Sequence, residues 1–86
     1  KHLKESLGRE LRRARLALPG HVSQATIAEQ LFPEVDPRAG RKLISKYECG
    51  SAEPSVADFL HLCDLLGIDV LELKRLLTRE AGRRAA

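Results

Sequence analysis

The sequence predicts an all-α domain of five short helices, and three observations carry that expectation. Aliphatic residues outweigh aromatic ones, which make up 3% of the chain, a composition that favours helix over strand. Apolar side chains return at three- and four-residue intervals in five successive segments, the period of an amphipathic helix. Each segment is bounded by residues that start or stop helices.

Leu3, Leu7, Leu11, Ala14 and Leu18 place the first helix over residues 3–18, and Pro19-Gly20 stops it. Ser23 is an N-cap for a second helix carrying Ile27, Ala28 and Leu31, closed by Phe32-Pro33. The third contains "RKLISKYECG" (41–50), with Gly50 as the residue just past its end. Two starts are open to it. Asp36-Pro37 makes an N-cap followed by a first-position proline, which puts Gly40 in the apolar arc and Arg38 on the polar one. Otherwise residues 32–40 form a long turn and the helix begins near Arg41. The longer helix is preferred. Pro54-Ser55 opens the fourth, whose stripe is Val56, Phe59, Leu60, Leu62, Cys63 and Leu66, and Gly67 ends it. Asp69 caps the fifth, with Val70, Leu71, Leu73, Leu76 and Leu77. Residues 78–86 read as a basic, fraying tail, so the domain is expected over 1–77.

The chain has 86 residues, enough for one core. Cys49 and Cys63 lack C-x-x-C spacing and read as thiols rather than a disulfide framework. There is no signal-peptide pattern and no apolar run of membrane-spanning length. Asp58, His61 and Asp64 stand at intervals of three, but no fourth ligand suggests itself, so no metal is expected. His21 and Ser23 have no orienting acid nearby, and no glycine loop matches a nucleotide-phosphate motif. The expectation is no enzyme and no cofactor. A start at Lys1 without methionine is compatible with a piece of a longer protein.

Charge is zoned. Residues 1–20 hold six cations against Glu5 and Glu10, residues 48–72 hold six acids and no Lys or Arg, and residues 74–84 hold five cations against Glu80. Such zoning allows a basic surface to meet a polyanion. The third helix concentrates it. At about 100° per residue, Leu43, Ile44 and Tyr47 share one arc. Arg41, Lys42, Ser45, Lys46 and Cys49 share the opposite one, and Glu48 lies at the seam. A major groove about 12 Å wide admits one helix, and Arg or Lys can donate to guanine O6 and N7 there.

Four stretches then carry a resemblance: "LGRELRRAR" (7–15), "SQATIAEQL" (23–31), "ISKYECG" (44–50) and "PSVADFLHLCDLLGIDVLEL" (54–73). Together they resemble the Xre or Cro/repressor family of helix-turn-helix domains over about residues 3–77. The resemblance implies a five-helix Cro/repressor-like domain that binds double-stranded DNA sequence-specifically as a transcriptional regulator, most often a repressor. It implies a cytoplasmic, nucleoid-associated protein of a bacterium or phage, with no membrane partner. Arg41, Lys42, Ser45 and Lys46 would read bases, joined by Arg38 if the helix is long. Ser23, Gln24, Arg12 and Arg13 would hold the DNA backbone, and Arg15 with Glu48 would form a structural ion pair. A homodimer or an appended oligomerisation domain is expected, with Leu73, Leu76 and Leu77 either making that contact or completing the core.

The sequence departs from the family pattern in places. Ala28 and Ile44 stand more than a helical turn further apart than in the family, through "FPEVDPRAG" (32–40), so the connection between the second and third helices is enlarged. The "LALPGHVS" link before the second helix is also slightly long. Cys49 and Glu53 occupy places where basic or polar residues are common. The alternative reading is an antitoxin or other protein-binding module of the same fold, with a toxin or another protein as partner and DNA binding secondary or lost.

Overall fold

A computed structural model describes residues 2–85, with side chains placed for 3–79, 81 and 82; Lys1 and Ala86 lie outside the described residues. The chain is all-helical: α1 (His2–Ala17), α2 (Gln24–Leu31), α3 (Pro37–Cys49), α4 (Val56–Leu66) and α5 (Val70–Ala85), with no strand among the described residues. No helix among them is long and apolar enough to cross a membrane.

Local chemistry sets the boundaries. Ser23 Oγ accepts from Thr26 N at 3.1 Å and Ser55 Oγ from Asp58 N at 3.1 Å. Asp69 Oδ1 accepts from Leu71 N at 2.9 Å and from Glu72 N at 3.4 Å. These side chains take up the amide hydrogens that a helix start leaves without partners. The longer α3 is the one that forms. Asp36 Oδ2 accepts from Ala39 N at 3.2 Å, and Pro37 occupies the first turn, where its missing N–H costs nothing. Gly50 (φ 80°) and Gly67 (φ 69°) close α3 and α4 in the left-handed region that L side chains rarely adopt.

The core is Leu11 of α1, Ile27, Ala28 and Leu31 of α2, Ile44 and Tyr47 of α3, and Leu62 and Leu66 of α4. α3 packs chiefly on α2 and α1, α5 leans on α1, and α4 fills the space against α1 and α2. Gly40 lies buried against α2, where an added Cβ would stand 3.2 Å from that of Ala28. At Gly8 the approach is closer. A Cβ there would fall 2.4 Å from the Tyr47 carbonyl oxygen and 2.6 Å from that of Glu48. α1 and the last turn of α3 therefore meet backbone to backbone.

Three sequence expectations change. Leu3, Val56 and Leu60 are largely exposed rather than part of the core, because the stripes of α1 and α4 are narrower than their apolar content suggests. Leu73 is buried, with only 3% of its surface exposed, so it completes the monomer core and is not available to a partner. Leu76 and Leu77 are half-buried beside it. The residues read as a fraying tail continue α5 as helix to Ala85, since Thr78 to Ala85 contain no proline and only Gly82 as a weak breaker.

Candidate nucleic-acid interface

α3 presents two chemically opposed sides. Gly40, Ile44 and Tyr47 are buried and Leu43 is half-buried, whereas Arg38, Arg41, Lys42, Ser45 and Lys46 are all exposed. The exposed residues recur at intervals of three and four, so they form one stripe from the first turn of the helix to its last. No acid shares that stripe. The Phe32–Gly40 segment does not cover it: Pro33 to Ala39 are themselves exposed and fold back against Ala28 and Phe32, on the opposite side of α3.

Glu48, the only acid of α3, is consumed by the fold. Arg15 Nε donates to its Oε2 at 2.7 Å and Arg15 Nη2 to its Oε1 at 3.0 Å. The two side chains are 10% and 6% exposed. A third donor, Gln24 Nε2, reaches Glu48 Oε1 at 3.0 Å, and Arg15 Nη1 donates to the Val22 carbonyl at 3.0 Å. Every arm of the guanidinium is thus used, and three helices are tied at one carboxylate. The hydrogen bonds to Glu48 hold the Arg15 pKa above its ordinary value, against the desolvation that works the other way.

The remaining candidates divide. Ser23 is exposed but its hydroxyl is engaged as the α2 cap and contacts Thr26 Oγ1 at 3.1 Å. Gln24 is half-buried, bonded to Glu48 rather than pointing wholly outward. Arg12 is exposed. Arg13 is not brought to the α3 stripe. It is paired with Glu10 one turn earlier and lines a groove with Ile68, Asp69 and Glu72 toward α5. Successive residues on α1 diverge by about 100°, so Arg12 and Arg13 cannot serve one surface equally.

At the far end of the stripe Cys49 is exposed, with Sγ 3.2 Å from Ser51 Oγ and 3.6 Å from the Lys46 carbonyl. The Ser51 hydrogen bond lowers its thiol pKa, whereas burial raises that of Cys63. Among the described residues no three His, Cys, Asp or Glu side chains converge as metal ligands. Asp58, His61 and Asp64 spread around α4, the first half-buried and the other two exposed.

Sequence reasoning overlooked Gly8 and the Val22 carbonyl. A mid-helix glycine among apolar neighbours was the available signal for the first, because such a residue costs helix stability unless close packing requires it. The second had none. No family model matches this chain, and no curated protein or solved structure is similar to it.

Proposed function

We propose that this chain is a helix-turn-helix domain of the Cro/repressor type that binds double-stranded DNA sequence-specifically and regulates transcription, with α3 lying in the major groove. One observation carries the reading. Five donor-bearing side chains, Arg38, Arg41, Lys42, Ser45 and Lys46, lie exposed along one side of α3, while the helix's only acid is neutralised inside the fold. A helix about 10–12 Å across fits the groove, and α2, packed on its back, sets its angle. Arg38 and Arg41 are suited to bidentate contact with guanine and Ser45 to a neighbouring base edge. Lys42 and Lys46, toward the edge of the stripe, and Arg12 suit phosphates. Ser23 and Gln24 act first on the protein itself, as cap and tie, and offer α2's N-terminus to the DNA backbone. The chain works in this reading as a binding module without catalytic chemistry.

The test is duplex binding by fluorescence anisotropy across a salt series. If about six phosphates are neutralised, log K falls against log salt with a slope near −5. Arg41→Ala/Lys42→Ala removes most of the affinity with unchanged melting. Binding that ignores salt, or a double variant that binds as the parent does, contradicts groove insertion by this stripe.

A further inference from the structure

Two helix faces away from the α3 stripe carry apolar side chains that the chain does not itself cover. On α4, Val56 is 77% and Leu60 51% exposed. They lie on one side with Ala57, His61 and Asp64, all exposed, and Glu53 is exposed just ahead of the helix. At about 100° per residue, Val56, Leu60 and Asp64 fall within one narrow arc. No Lys or Arg occurs between Tyr47 and Leu73, so this face carries carboxylates and no cation of its own. On α5, Leu71 is 67% exposed and lines a shallow groove with Lys74, Arg75, Thr78 and Arg79. Glu72 offsets part of that charge through an exposed pair with Arg75 at 3.6 Å. The face keeps a cationic excess.

We propose that the outer face of α4 in one copy of this chain docks against the outer face of α5 in a second copy. Each face has an exposed aliphatic centre, Val56 and Leu60 on one and Leu71 on the other, and the charges around those centres are opposite. Pairing like with like is disfavoured on both sides. α5 against α5 sets Lys74, Arg75 and Arg79 against themselves, and α4 against α4 sets Glu53 and Asp64 against themselves. The crossed arrangement alone buries the aliphatic centres together and matches sign. In a closed pair the contact is made twice, which brings a small patch toward the roughly 1,200–2,000 Å² that stable pairs bury. The proposal stands without the DNA reading, because neither face includes a residue of the α3 stripe.

Sedimentation equilibrium of the protein without DNA tests it. The parent chain associates with concentration, and added salt weakens the association. Leu60→Lys places a cation against the cationic face, and Leu71→Glu an acid against the acidic one. Each variant alone raises the dissociation constant by about tenfold or more. An equimolar mixture of the two regains 1:1 association, because one copy supplies an intact α4 face and the other an intact α5 face. A parent chain that stays monomeric at every concentration overturns the proposal, as does a variant that associates like the parent or a mixture that stays monomeric. Both positions are exposed, so melting should not change. Asp64→Lys and Lys74→Glu, mixed in the same way, repeat the test through charge alone. Loss of duplex binding in Lys74→Glu with a monomeric parent assigns the α5 face to nucleic acid instead and also overturns it.

Discussion

Arg15 and Glu48, thirty-three positions apart in the chain, meet fork to fork, with Nε–Oε2 at 2.7 Å and Nη2–Oε1 at 3.0 Å. The pair joins α1 to α3, and Gln24 brings α2 to the same carboxylate. Buried ion pairs contribute little net stability compared with a well-packed apolar substitute, yet removing one partner is costly because the other is left uncompensated.

Glu48→Ala is therefore expected to destabilise the fold by about 3 kcal/mol or more. Thermal unfolding measures it. Base preference on any duplex the variant still binds should remain that of the parent. A variant with parental melting and a changed preference removes Glu48 from its positioning role.

Gly8→Ala and Gly82→Ala should act in opposite directions. At Gly8 the new methyl meets the carbonyls of Tyr47 and Glu48, backbone atoms that do not rotate away. The loss of about 2 kcal/mol or more outweighs the roughly 1 kcal/mol that alanine gains over glycine within a helix. Gly82 has nothing within 4 Å, so alanine there stabilises by roughly 0.5 kcal/mol. Chemical denaturation of both variants decides; a Gly8→Ala chain as stable as its parent denies the close α1–α3 crossing.

Arg38→Ala bears on the extra turn at the start of α3. Its melting should match the parent, since the residue is exposed. Selection of bound sequences from random duplex should show discrimination relaxed at one outlying base pair, a loss of about 1–3 kcal/mol there. If the selected sequences are indistinguishable from the parent's, the added turn does not reach the bases.

Tyr47 sets an alkaline limit. Its phenol pKa is raised, first by burial and secondarily by the Asp58 carboxylate. The native state thus holds this proton more tightly than the unfolded chain does. The resulting stability is whole below the unfolded value near 10 and is lost as pH climbs through the native one. Tyr47→Phe should flatten the part of the stability profile above about pH 10 that this phenol causes. Equal alkaline slopes in parent and variant contradict the assignment.

Where a boundary depends on neighbours in sequence, the sequence carried it. Ser23, Asp36, Ser55 and Asp69 each cap amides two or three residues ahead, and Gly50 and Gly67 end helices through their own φ. The exposed stripe of α3 was legible for the same reason, as a property of one helix. The Arg15–Glu48 contact came from resemblance, not from spacing, and the geometry now supplies its physical basis. What could not be read depended on distant packing. Gly8 meets carbonyls some forty residues away. Leu73 is buried and Leu71 exposed because α5 turns one side toward α1, a choice that its leucine-rich start leaves open. Arg13 was separable from Arg12 locally, since Glu10 is one turn away, but the groove that receives it is made by α5.

The crossing at Gly8 leaves no side-chain spacer between α1 and the end of α3, so substitutions in the core have little means of tilting α3. Change in what it meets must come instead from exchanging its outward residues on a fixed mount. Positions 38, 41, 42, 45 and 46 accordingly form a set that a combinatorial library can randomise to retarget the domain while the scaffold is left as it is.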